Sequence, residues 1–343
     1  MGSPGNDKVR IGLIGTGRIG CIHAESLSFR LPEADLLCVS DVNLNAAKSC
    51  AKEFRVDTVY EDYRNILKRQ DIDAVVISSS TDTHAEIIKA TAESEKHIFC
   101  EKPIALGLSQ IDEALQAVDN AGVKLQVGFN RRFDPNFKKI KELVSSGKIG
   151  KPHLLRITSR DPVPPPYEYI KASGGIFLDM TIHDFDMARY LLGEEVTEIF
   201  ATGDVLVDTK IGDFGDIDTA MITLKFKNGA IGSIDNSRKA VYGYDQRVEV
   251  LGSEGCATAF NKTPDQVAIS DNQGIHTEKP LYFFLERYRE SYIQEMREFI
   301  DAVKNDKTPP VGGKDGRISV LMAMAAKKSL EENRPIKVGS TFP

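Results

Sequence analysis

The chain has no CxxC pair, and its five cysteines, Cys21, Cys38, Cys50, Cys100 and Cys256, are isolated and odd in number. That pattern excludes a disulfide framework and a structural zinc site, and it fits a reducing, cytoplasmic setting. Each cysteine reads as a small buried hydrophobe. No apolar run approaches the roughly 20 residues that a membrane span requires. The opening MGSPGNDKVR lacks an apolar signal core, so secretion is not expected, and Met1 to Asp7 read as a flexible tail. The net charge is −6 with Lys and Arg scattered, which leaves no basic stripe for nucleic acid. No Cys/His cluster has metal-ligand spacing, so no metal is expected. No internal repeat is visible. The one biased segment, Asp161-Pro-Val-Pro-Pro-Pro166, is a stiff loop.

What is present is a chain of 343 residues, 41% hydrophobic and 27% charged, ordinary for a globular protein and long enough for two domains. Through residue 128 short apolar runs alternate with helical patterns. Strands are expected at 9–14, 35–40, 58–60, 73–78, 97–100 and 124–127, with helices from the glycine turn to 29 and at 45–54, 84–95 and 109–120. Near-continuous apolar strands between helices imply a parallel sheet covered on both faces. After Gly128 the texture changes. Helices are expected at 136–146 and 177–192. Period-two strands follow at 219–226, 230–236 and 246–251, with a hairpin turn at Asn228-Gly229. Long helices close the chain at 281–305 and 316–333. The expected fold is therefore an N-terminal α/β Rossmann domain over 8–128. An α+β domain with a large, open, mostly antiparallel sheet is expected over 129–337.

Gly15-Thr-Gly17-Arg18-Ile19-Gly20 is a full GxGxxG between a strand and a helix, and Asp41 ends the next strand about 20 residues on. Gly15 permits the turn, Gly17 lets a pyrophosphate approach the backbone, and Gly20 allows close helix–strand packing. The phosphates would lie at the helix N-terminus. Asp41 can accept from ribose hydroxyls and would repel a 2′-phosphate, which favours NAD over NADP.

Two further features carry chemistry. Lys102, in Glu101-Lys-Pro103, follows a strand at the C-terminal sheet edge, where open α/β sheets bind ligands. Asp179 and His183 stand four apart in the helical 177–192 run, so a carboxylate and an imidazole share one face. A carboxylate beside a histidine orients it and supports it as a general base. Asp186 and Tyr190 continue that stripe, and the bland alternative is a solvated or interface face. His84 is placed near the nicotinamide, whereas His23 and His153 read as solvent-facing or locally hydrogen-bonded.

Taken together, GTGRIG, SSSTDTHAE at Ser78–Glu86, EKP, GFNRRFD at Gly128–Asp134 and GGIFLDMTIHDFDMARYL resemble the glucose–fructose oxidoreductase and inositol dehydrogenase (Gfo/Idh/MocA) family. The resemblance runs from about Val9 to Lys337 and is closest to the inositol 2-dehydrogenase branch. It implies catalysis by Lys102, Asp179 and His183. The implied cofactor contacts are Gly15, Gly17, Arg18, Ile19, Gly20, Asp41, Ser79, Thr81, His84, Glu101 and Lys102. Arg131, Asp161 and Tyr242 would touch substrate alongside the catalytic three. Some relatives carry other residue types near Asp161, which leaves the polyol open. The expected activity is metal-free, NAD-dependent oxidation of a secondary alcohol on a cyclic polyol, foremost myo-inositol to its 2-keto product. Scyllo-inositol or a pyranose sugar is the alternative, and a non-catalytic NAD(H) sensor is a third reading. A homo-oligomer, tetramer or dimer, is expected from the open sheet face.

Overall fold

The computed structural model describes Lys8–Gly339 as two compact units. Met1–Asp7, read above as a tail, lie outside the described residues. Unit 1 comprises residues up to Asn130 together with Glu290–Ile318, and unit 2 comprises Arg131–Arg289 and the chain from Ser319. The second segment of unit 1 departs from the contiguous boundaries expected from the sequence.

The strands of unit 1 are β1 (Val9–Ile14), β2 (Ala34–Ser40), β3 (Thr58–Tyr60), β4 (Ala74–Ile77), β5 (His97–Glu101) and β6 (Leu125–Gly128). They alternate with α1 (Arg18–Phe29), α2 (Leu44–Phe54), α3 (Arg64–Leu67), α4 (Thr81–Glu93) and α5 (Leu108–Ala121). The sheet order is β3-β2-β1-β4-β5-β6, and every neighbouring pair is parallel. This is the doubly wound order, with its switch point between β1 and β4. The four residues of β4, Ala-Val-Val-Ile, are wholly buried, as a strand covered on both faces must be. Met296, Phe299 and Ile300 complete the same core, with Phe299 packed edge-on against Phe99 at 5.8 Å. This explains why 290–318 joins the unit: its apolar stripe has its partners there.

Unit 2 runs through α6 (Pro135–Ser145), β7 (Pro152–Arg160), α7 (Tyr167–Ala172), a π-helical turn (Phe177–Thr181) and α8 (Ile182–Leu192). It continues with β8 (Val196–Asp204), α9 (Thr209–Gly212), β9 (Thr219–Phe226), β10 (Ile231–Ser237), β11 (Asp245–Gly252) and β12 (Gly255–Ala259). The small hairpin β13 (Ala268–Asp271) and β14 (Gly274–Thr277) and then α10 (Phe284–Arg287) follow; the chain next forms α11 (Arg289–Lys304), nearly all of it in unit 1, and α12 (Gly313–Glu332), whose part from Ser319 on belongs to unit 2 with β15 (Ile336–Lys337). The expected single helix over 281–305 is thus two helices. The large sheet has the order β12-β11-β7-β10-β9-β8-β15, antiparallel except at β7–β10. β9 alternates buried and exposed residues along its length, the mark of a sheet packed on one face only. Gly229, at φ +89°, makes the expected turn into β10. Asp134 caps α6 by accepting from Asn136 N (3.0 Å) and Phe137 N (3.2 Å), ahead of Pro135 at the first helical position.

Cys38, Cys50 and Cys100 are buried as expected, but Cys21 is half-buried and Cys256 exposed. Among the described residues no helix is long and apolar enough to cross a membrane.

Candidate active site

In unit 1 the switch point is shaped by glycine. A Cβ on Gly15, at φ +90°, would lie 2.5 Å from Ser78 C and Ser79 N, so the ends of β1 and β4 touch only because the side chain is missing. A Cβ on Gly20 would lie 2.0 Å from Gly15 O. At Gly17 a Cβ would meet nothing within 4 Å. The glycine turn is therefore packed on its inner side and open at Gly17, where a pyrophosphate would approach. No side chain caps the N-terminus of α1, so its first amides and positive dipole end remain for phosphate oxygens. Arg18 and Ile19 open that helix, and Thr81 opens α4. These residues fit a dinucleotide.

Asp41 follows β2 and is tied to the turn. Thr16 donates to its Oδ2 from N (2.7 Å) and Oγ1 (2.9 Å), and Asn43 N donates to its Oδ1 (2.8 Å). A carboxylate has about four acceptor positions, so room remains for a ribose hydroxyl. Ser79 Oγ pairs with Thr83 Oγ1 at 2.7 Å.

Other expected cofactor contacts are engaged within the unit. His84 is 1% exposed, with Nδ1 2.8 Å from Pro103 O and Nε2 3.0 Å from Ser79 O, so it laces two loops together. His23 is fully buried rather than solvent-facing, and its Nε2 lies 2.7 Å from Glu101 Oε1. The carboxylate can only accept, so the ring nitrogen donates. Glu101 is thereby turned into the unit, over the bare Cα of Gly128. Lys102 follows β5, half-buried, and its peptide bond to Pro103 is cis.

In unit 2 the expected Asp179–His183 helix is a composite. Asp179 lies in the π turn and His183 in the first turn of α8, so the segment is not one continuous α-helix. A π turn takes a wider step per hydrogen bond, and such turns recur at functional sites. Asp179 accepts from Tyr169 OH (2.7 Å) and Arg238 NH1 (3.1 Å). Arg238 is 1% exposed and also lies 3.6 Å from Asp216. Asp216 in turn accepts from Ile176 N at 2.9 Å, just past Gly175 at φ +88°. Tyr169, Arg238 and Asp216 are site residues that sequence reasoning missed.

Asp161 follows β7, its backbone N donating to Ser237 O (2.9 Å) and its O accepting from Ala240 N (2.6 Å). Burial pushes its carboxyl up to about 7; Arg238 opposes the shift and Asp179 adds to it. A group held above its ordinary carboxylate value contributes stability that is complete below that value. The contribution is lost as pH rises through about 7. Asp161→Asn should therefore flatten the fall in stability between about pH 4 and 7. Parallel denaturant titrations across that range check it, and an unchanged slope would refute the assignment.

Arg131 is 5% exposed and is committed elsewhere, donating to Asp184 (2.6 Å) and to Ser159 Oγ (3.2 Å). Asp184, raised by burial and countered by Arg131, also accepts from Asn236 Nδ2 at 2.9 Å. Arg131 thus braces the start of α8 from below. Tyr242 donates to Asp245 (2.6 Å) and accepts from Arg160 NH1 (3.0 Å), on an exposed loop.

A dinucleotide turn in one unit, and in the other a histidine-bearing helix whose neighbouring carboxylate is held by a buried arginine, define a nicotinamide-dependent oxidoreductase. Residues 9–129 match the profile of the oxidoreductase family with an NAD-binding Rossmann fold, and residues 137–258 match the GFO/IDH/MocA C-terminal domain. The chain belongs to the GFO/IDH/MocA oxidoreductase family, and its cofactor is NAD. It is 54% identical to the myo-inositol 2-dehydrogenase of Thermotoga maritima, over 96% of this chain and 98% of that one. It is 45% identical to the inositol 2-dehydrogenase of Rhizobium meliloti, over 96% and 99%. The solved scyllo-inositol dehydrogenase of Lactobacillus casei, with bound NAD(H) and scyllo-inositol, matches at TM-score 0.91 and 29% identity, covering 97% of this chain and 100% of that one.

Proposed function

We propose that this protein oxidises myo-inositol to 2-keto-myo-inositol with NAD. The observation that carries the reading is Asp179, held by Arg238 and Tyr169 in the π turn that leads into the His183 helix. Bound NAD would supply the hydride acceptor. His183 takes the hydroxyl proton as the alcohol is oxidised. Asp179, kept anionic beside Arg238, orients the imidazole and stabilises the imidazolium that forms. Lys102 hydrogen-bonds the reacting oxygen and steadies negative charge on it. Asp161, half-buried and poised near neutrality, offers a donor as well as an acceptor to a ring hydroxyl. The Thermotoga maritima relative supports myo-inositol, and the Lactobacillus casei structure supports scyllo-inositol as the alternative substrate.

Initial rates of NADH formation over a panel of inositols and pyranose sugars test this, with NADP in parallel. Myo-inositol with NAD should give the highest kcat/KM; no rate on any inositol would overturn the reading.

The enzyme acts in the cytoplasm as a homo-oligomer. On the large sheet Leu251, Leu154 and Ile231 are register partners across β11, β7 and β10, and all three are exposed, from 39% to 49%. Such an apolar row on one sheet face is covered most simply by a second copy. Light scattering should return a dimer or tetramer mass, and a monomer would contradict it.

A further inference from the structure

Unit 1 contains a buried titratable cluster that the proposed chemistry does not use. His23 on α1, Glu101 at the end of β5 and Glu295 on α11 each place one ligand-type atom within 4.8 Å of the other two. His23 and Glu295 are fully buried, and the Glu101 side chain is 12% exposed. The surroundings are apolar: the His23 ring meets Phe99 edge-on at 5.0 Å and Tyr292 at 6.0 Å. Both carboxylate oxygens of Glu295 lack a hydrogen-bond partner, as do His23 Nδ1 and Gln126 Oε1. Gln126 Nε2 donates to the backbone O of Glu295 at 2.8 Å, so that amide belongs to the same neighbourhood. Every orphan just named is an acceptor or can be one. The cluster is therefore short of protons. Two carboxylates this close, away from water, cannot both stay ionised.

We propose that Glu295 is held as the neutral acid, donating its proton within the cluster, and that it acts as a positioning residue for Lys102. Burial and the neighbouring Glu101 both push the Glu295 carboxyl well above its ordinary range, in agreement with that placement. Glu101 takes the His23 N–H on one side and, through a bridging water, the Glu295 O–H on the other. Successive side chains along an extended strand end point to opposite faces. Fixing Glu101 on the inner side therefore fixes the direction in which Lys102 leaves β5. A cation would answer the same surplus of acceptors. A proton is the simpler occupant, since it turns one acceptor into a donor and needs no further ligands.

The functional half rests on the role given to Lys102 above; the proton itself does not. The carbonyl stretch of a buried carboxylic acid should appear in the infrared spectrum of the whole protein and vanish in Glu295→Gln. Glu295→Ala should lower kcat about tenfold or more while the KM for NAD stays put, since a small misplacement of a reacting group costs on that order. Glu295→Gln, neutral and still a donor, should recover most of that loss. Absence of the acid band, a Gln variant as impaired as the Ala variant, or one bound metal ion per chain by elemental analysis would each overturn the proposal. Full turnover in Lys102→Ala would instead sink the role of Lys102 and leave the infrared band in place.

Discussion

Replacing His183 with alanine should cut turnover by at least about two orders of magnitude, as loss of a general base commonly does. Lys102→Ala should do the same, because it removes the donor to the reacting oxygen. The two losses should come from different places. The His183 variant should regain rate as pH rises, when hydroxide or water can take the proton in its stead. The Lys102 variant should stay slow at every pH. His183 sits at the first turn of α8, with the neighbouring Ile182, Asp184 and Phe185 all fully buried. The helix is anchored by those neighbours, so alanine at 183 removes the imidazole without unseating the backbone. Steady-state kcat across the pH range, with thermal denaturation as the folding control, checks both. Near-normal turnover in either variant would remove that residue from the mechanism.

The second large effect belongs to Gly20. An added Cβ would sit 2.0 Å from Gly15 O and 2.9 Å from Ser78 Oγ. The first is a backbone atom in the dinucleotide turn and cannot rotate away, so α1 would have to lift off the sheet. Overpacking of this sort costs about 1–3 kcal/mol or more. Gly20→Ala should therefore lower the melting temperature and abolish the further rise that NAD gives the parent protein. Gly17→Ala makes the contrast. Nothing lies within 4 Å of its Cβ position, so the fold should survive while the new methyl obstructs the approach of the pyrophosphate. Equal melting temperatures and NAD shifts in the parent and the Gly20 variant would contradict the packing argument.

Local signals in the sequence carried much of this structure. The dinucleotide turn was legible because each glycine answers a separate local demand, and the β9–β10 hairpin because Asn228-Gly229 separates two alternating runs. What was not legible depends on distance along the chain. Arg238 and Tyr169 reach Asp179 from 59 and 10 residues away, and no periodicity marks them. β7 escaped because its inner face ends on a polar residue. Ser159 is buried there and Thr158 on the opposite face, Ser159 donating to Gln246 Oε1 (3.0 Å) and Thr158 to Asp235 (2.8 Å), so the strand does not read as apolar. His23 read as solvent-facing or locally hydrogen-bonded because its partners, Glu101 and the ring of Phe99, come from β5. The i, i+4 reading of Asp179 and His183 placed both on one helix but could not foresee the π turn that holds Asp179. The apolar stripe of 290–318 reads as a helix, and only the packed core shows which unit it completes.

The proposed reaction moves hydride from carbon 2 of myo-inositol to NAD. The direct test is the mass of the NADH formed from myo-inositol carrying deuterium at that carbon. The NADH should be heavier by one deuterium and should form more slowly than from the unlabelled polyol. Unlabelled NADH, or none, would contradict it.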